Sequence, residues 1–178
     1  WDLTGGWNNG DSKVNTSQVT ALTSDSTSGI YDGPAFDSPH YASDIKMSPD
    51  GRLAYVLDPT LGVHIFDVST PNEIIRLTDY LAPGDINDIT FSSDSNYAFI
   101  AMGDGGIQIV DISTPTSPVL ETTIVTDGEA LAVELDPDDK KLFVAMGESG
   151  VAAYDISSVE SPSIIHSFST GGNAVNLL

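Results

Sequence analysis

The sequence predicts an all-β protein built from repeated four-stranded antiparallel meanders, and three observations carry that expectation. One motif recurs at a fixed spacing: VHIFDVSTP from Val63, IQIVDISTP from Ile107 and VAAYDISSV from Val151, with the aspartates Asp67, Asp111 and Asp155 separated by 44 residues each time. Each period holds short apolar runs rich in Val, Ile, Phe and Tyr, bounded by Pro, Gly, Asp and Ser, and no gap between the breakers admits a helix of about 12 residues. The middle runs are apolar on both faces, as in Gly106 to Ile112 and Leu142 to Met146, which is the pattern of a strand covered from both sides.

Residues 1–29 are rich in Gly, Asn, Ser and Thr, and only QVTALTS reads there as a strand. Residues 30–41 (IYDGPAFDSPHY) hold the place in the period of an outer strand and link, completing a preceding unit. The first full unit, residues 42–84, runs through Ile45 to Met47, the turn SPDG, Leu53 to Leu57, Gly62 to Val68 and Ile74 to Tyr80. Residues 85–129 and 130–173 repeat it without insertion. The columns Gly62, Gly106, Gly150 and Tyr55, Phe99, Phe143 stay in register, as do Ile45, Ile89 and Val133. Residues 174–178 open another inner strand. A meander of this length is the size of a β-propeller blade. Three blades and one strand do not close a ring of the usual 4–8 blades. The favoured expectation is a segment of a larger propeller; closure using residues 1–41 as a fourth blade, or closure between two chains, are the alternatives.

Composition narrows the function. Six Lys and Arg stand against 26 Asp and Glu, a net charge of −20, so binding to a phosphate backbone is not expected. There is no cysteine, which removes disulfides, thiolate zinc sites and cysteine nucleophiles. Apolar residues make up 40% of the chain, too many for an acidic disordered segment. No apolar run of about 18 residues is present, so membrane insertion is not expected. The chain opens on Trp1 and shows no signal segment, and the expectation is a mature or excised piece.

GGIQIVDISTPTSPVL, preceded by NYAFIAMGD, resembles the LVIVD-type repeat of bacterial and archaeal propellers, and SPDGRLAYVLDPTLGVHIFDVST is similar to the YVTN-type repeats of surface-layer propellers. The likeness spans Ala42 to Asn173. The third period departs from it at Val159, where the others have Pro, and at Ala132, where the others have Asp44 and Asp88. The resemblance implies a propeller from a prokaryotic secreted or cell-surface protein. Function does not follow from fold.

Turns of a meander alternate sides, which sorts the acids. Asp44, Asp88, Asp104 and Glu148 fall on the face shared by the second turns and the links. Asp44 and Asp88 open inner strands, while Asp104 and Glu148 sit in the flexible loops MGDGG and MGESG. Carboxylates converging from adjacent blades suit Ca²⁺, an oxygen-seeking ion, and these four are the candidate metal ligands. Asp67, Asp111 and Asp155 each run into D-[VI]-S-[TS], where Asp and Ser cap backbone amides, and they read as structural turn formers. His64 lies in a central strand and reads as packed or hydrogen-bonded. His40, His64 and His166 share no position in the period, no GxSxG, HExxH or phosphate loop is present, and no catalytic residue is nominated. Trp1 and Trp7 stand in the polar segment, either docking on a partner or a sugar ring or packing on the nearest blade.

The expected function is an extracellular or cell-surface binding or structural module for a protein or cell-surface partner, with cation-binding acidic loops. The rivals are a subunit of a self-assembling surface polymer and a hydrolase or lyase built around Asp44, Asp88 and Asp104 in a central channel.

Overall fold

The computed structural model describes residues 42–70, 73–82 and 84–177, all within one compact unit, Tyr41–Leu178. Segment 1–29 with QVTALTS and both tryptophans, the strand and link assigned to 30–41, and Leu178 lie outside the described residues.

The described residues form twelve strands and no helix. The first blade holds β1 (Asp44–Met47), β2 (Leu53–Asp58), β3 (Gly62–Thr70) and β4 (Glu73–Tyr80). The second holds β5 (Asp88–Phe91), β6 (Tyr97–Ala101), β7 (Ile107–Asp111) and β8 (Val119–Ile124). The third holds β9 (Ala132–Leu135), β10 (Lys141–Ala145), β11 (Val151–Asp155) and β12 (Ser163–Phe168). Every sheet is a simple antiparallel meander in sequence order, so the fold is the all-β array of propeller blades that the period predicts. A register shift falls at the same place in each third strand, between Ile65 and Phe66, Ile109 and Val110, and Ala153 and Tyr154. Such bulges sharpen the local twist, and each blade acquires the same twist from the same column.

The apolar columns explain the stacking. One face of the first blade, with Tyr55, Leu57, Val63 and Ile65, closes on Ile89, Ala98, Ile100 and Val110 of the second. The opposite face of the second blade, with Phe99, Ala101, Ile107 and Ile109, closes on Val133, Leu142, Val144 and Ala152 of the third. The central strands of the second blade are therefore buried on both sides, and each large side chain so buried contributes about 1.5–3 kcal/mol.

The glycine column has its own cause. Gly62, Gly106 and Gly150 each have positive φ, at 131°, 74° and 83°. A Cβ built on any of them would fall on the carbonyl oxygen of the fourth strand beside it, that of Tyr80, Ile124 or Phe168. The third strand starts against the end of the fourth with no room for a side chain.

After the third blade the chain repeats the entry it makes into that blade. Gly103 and Ala130 exchange both backbone hydrogen bonds (3.1 and 2.9 Å), and Gly147 and Ala174 do so again (2.9 and 3.0 Å). Residues 174–177 thus start where an inner strand starts.

Candidate functional site

The inner strand β5 lies between β1 and β9, and along the three runs an open groove of about 510 Å³. Asp44, Lys46, Asn87, Asp88, Glu134 and Asn176 supply its polar lining. Successive strand residues alternate faces, so Asp44 and Lys46, two apart on β1, fall on one side. Lys46 Nζ lies 3.6 Å from Asp44 Oδ2 and 3.5 Å from Asp88 Oδ1. Desolvation pulls the pKa of Lys46 down, but the charges of Asp88 and Asp44 outweigh it, and the ammonium titrates above its ordinary value. Lys46 was not a candidate on sequence; its place two residues beyond Asp44 on a short inner strand was the available signal.

Asp88 is committed on both oxygens. Oδ1 accepts the Ile89 amide (2.9 Å), and Oδ2 reaches across to the next blade to accept the Val133 amide (3.1 Å). Asp44 Oδ1 accepts the Ile45 amide at 2.8 Å. In the third blade Ala132 occupies the corresponding position and is buried.

The four candidate metal ligands are therefore only partly brought together. Asp44 and Asp88 share the Lys46 ammonium. Asp104 and Glu148 stand exposed in the second turns, which the Met102 to Gly106 and Met146 to Gly150 backbone bonds close at 2.8 Å each. Neither of their carboxylates hydrogen-bonds a described residue. Among the described residues no group of three His, Cys, Asp or Glu side chains is placed to hold a metal ion.

The three motif aspartates are local. Asp67 accepts the Ser69 amide at 2.9 Å, Asp111 that of Ser113 at 2.8 Å and Asp155 that of Ser157 at 2.9 Å. The Asp111 and Asp155 pairings turn the chain out of the third strand, the Asp67 pairing falls within the longer β3, and none of the three reaches the groove.

A second polar cluster lies within the first blade. His64 Nδ1 is 2.8 Å from Asp79 Oδ1, and Nε2 is 3.8 Å from the buried Asp58. The Arg76 guanidinium grips Asp79 through Nε at 2.9 Å and through a second contact from Nη2. Burial pushes the Asp79 pKa up, but the hydrogen bonds from Arg76 and His64 and their charges outweigh it and hold the carboxyl below its usual range. One and two periods later the place of His64 is taken by Gln108 and Ala152, and that of Asp79 by Thr123 and Ser167, so this cluster belongs to one blade.

Residues 83–126, the second blade and its entry, match the family model of the LVIVD repeat. No curated protein matches the sequence. Among solved structures, a Bacteroides uniformis protein described as a "putative 6-phosphogluconolactonase" aligns at TM-score 0.68 and 18% identity, covering 80% of this chain and 44% of that one. One from Bacteroides fragilis, described in the same words, gives 0.69 and 17%, covering 80% and 42%. A Desulfotomaculum acetoxidans protein of unknown function gives 0.59 and 18%, covering 78% and 58%. At these identities the likeness shows the fold alone, and the chain spans less than two thirds of each structure's length. Residues 83–126 carry an LVIVD repeat, and the repeating sheets around them are blades of a β-propeller.

Proposed function

We propose that the chain serves as a binding or structural interaction module of an extracellular or cell-surface propeller. The observation that carries this reading is the use made of Asp88, which is bonded to two backbone amides and to Lys46, so this inner-strand acid holds neighbouring blades together. Rigid blades then present loops and grooves to a partner, the usual division of labour between scaffold and loops. The resemblance of the repeats to those of surface propellers and the charge of −20 support the location.

The rival reading, an enzyme at the axis, takes its interest from the names of two structural neighbours. A phosphorylated lactone would need cations to hold its phosphate. The described groove offers Lys46 as its cation, already set between two carboxylates, with Glu134 nearby.

Two measurements on the full chain separate the readings. The first is lactone hydrolysis with 6-phosphogluconolactone, with wild type and with Asp44→Asn and Asp88→Asn. The second is binding to peptide and glycan arrays. The module reading expects hydrolysis at the spontaneous rate and saturable binding to a defined set of array members. Hydrolysis above background that both substitutions remove overturns it.

A further inference from the structure

We propose that the groove between the second and third blades is a docking site for an arginine side chain of a partner protein, which gives the module reading above its first specific contact and rests on it. The groove has a volume of about 540 Å³. Ile124, Pro162 and Ile164 form its apolar wall, and Tyr154, Asp127 and Glu160 its polar one.

The seam between the first and second blades shows what is special here. There Tyr80 Oη donates to Gln108 Oε1 at 2.8 Å, a polar plug across the interface. One period later Tyr80 becomes Ile124 and Gln108 becomes Ala152, so the plug is absent. Val110 meanwhile becomes Tyr154, which brings a phenol to a position that holds an aliphatic side chain one period earlier. Tyr154 is 5% exposed, it lines the groove, and its hydroxyl hydrogen-bonds no described residue. The hydroxyl oxygen itself is not buried, so a ligand donor entering the groove takes the place of water on it. Burial, and secondarily the charge of Asp127, raises its pKa, so it stays a neutral hydroxyl able to accept and donate.

The lining selects the ligand class. It holds two carboxylates and no Lys, Arg or His, so it complements a cation. A guanidinium carries five N–H donors in a planar fork, enough to serve carboxylates and a phenol oxygen together. Its methylene stem suits the wall of Ile124, Pro162 and Ile164. A small hydrated metal ion leaves that wall unused.

The test is a fluorescence-anisotropy titration of the full chain with an end-blocked, labelled pentapeptide holding one arginine between two leucines. The same peptide with glutamine in its place is the reference. The arginine peptide should bind at least about tenfold more tightly, the scale of a charge-assisted contact. Tyr154→Phe should weaken binding by about fivefold, the scale of one hydrogen bond. Asp127→Asn with Glu160→Gln should weaken it by about tenfold or more. Glu73→Gln with Asp138→Asn removes the same charge from exposed positions elsewhere and should change affinity less than about twofold. Equal losses in the two double variants, or an unaffected Tyr154→Phe that unfolds at the wild-type temperature, overturn the site. Array binding that persists unchanged in Tyr154→Phe leaves the module reading standing and overturns the groove alone. Absence of any array binding removes the module reading itself.

Discussion

Lys46 of the first inner strand and Asp88 of the second meet across the seam between their blades, with Nζ 3.5 Å from Oδ1, and the two sides of that pair have unequal worth. The Lys46 side chain is 43% exposed, so its ion pairs are screened by solvent and worth well under about 1 kcal/mol. Asp88 also ties the Ile89 and Val133 amides, bonds of which the second crosses to the third blade. Lys46→Met should therefore cost less than about 0.5 kcal/mol in urea unfolding, and Asp88→Ala about 2 kcal/mol. Equal costs would mean that the ion pair, not the amide bonds, joins the inner strands.

Gly106 tolerates no side chain. Its φ of 74° is unfavourable for an L-residue, and a Cβ meets the Ile124 carbonyl oxygen, a backbone atom that cannot swing aside. Gly106→Ala should destabilise by about 3 kcal/mol or abolish folding of the second blade. By contrast Gly51, also at positive φ, has nothing within 4 Å of its Cβ position, so Gly51→Ala should cost only the backbone strain, about 1 kcal/mol. A thermal-shift comparison of the two separates crowding from conformation.

Tyr55 carries a hydroxyl that the fold does not use. The residue is 1% exposed, its Oη is buried without a hydrogen-bond partner in the structure, and burial pushes its pKa up to about 12. The next two periods have Phe99 and Phe143 at this position. Tyr55→Phe should stabilise by about 1 kcal/mol, the desolvation cost relieved. A loss of stability would show that the hydroxyl is bonded in solution.

The period made much of the architecture legible, because strand length, blade order and the glycine column all depend on residues within one repeat. Register across the seams was less so. Asp88 reaching Val133, and Tyr80 reaching Gln108, are contacts between periods that the repeat pattern does not rank above any other pair of loop or strand residues. The sorting of acids by face placed Asp44 and Asp88 together, yet gave no weight to a lone lysine between them. The polar trio of His64, Arg76 and Asp79 shows the same difficulty, since His64 and Asp79 are opposed only once the register of β3 and β4 is known.

Acid stability should be governed by the hairpin turns. In Asp50 the Ser48 hydroxyl and the Arg52 amide, and in Asp94 the Ser92 hydroxyl and the Asn96 amide, hold the carboxyl below its ordinary 3.8. A pKa lowered on folding gives stability that is complete above the unfolded value and is lost as pH falls through the folded one. Protonation has an opposite effect at higher pH, where it relieves the self-repulsion of a chain with charge −20 and a pI of about 4.1. The melting temperature should therefore rise as pH is lowered from about 8 toward about 4.5, then fall steeply below 3.8. The double variant Asp50→Asn, Asp94→Asn should show a shallower acid limb. An identical limb would place the acid-sensitive groups elsewhere.

The same turns separate two uses of a left-handed residue. Gly51, Ser95 and Asp139 are one period apart and all have positive φ, at 71°, 61° and 53°. Each closes its turn by donating its amide to the residue three before, Ser48, Ser92 or Asp136, at 2.8 to 3.0 Å. Ser95 bears the strain of this conformation and its side chain makes no hydrogen bond to a described residue, so Ser95→Gly should stabilise by about 0.5–1 kcal/mol. Asp139 bears the same strain, but its Oδ2 accepts the amide and hydroxyl of Ser93, at 2.7 and 2.5 Å, across to the second blade. Relief of strain in Asp139→Gly is offset by the loss of those bonds, about 1 kcal/mol each at an exposed site. The expected result is a gain for Ser95→Gly and none, or a loss, for Asp139→Gly, with Ser93→Ala reducing the gap between them. Equal gains would mean that the bond between the two turns contributes nothing to holding the blades together.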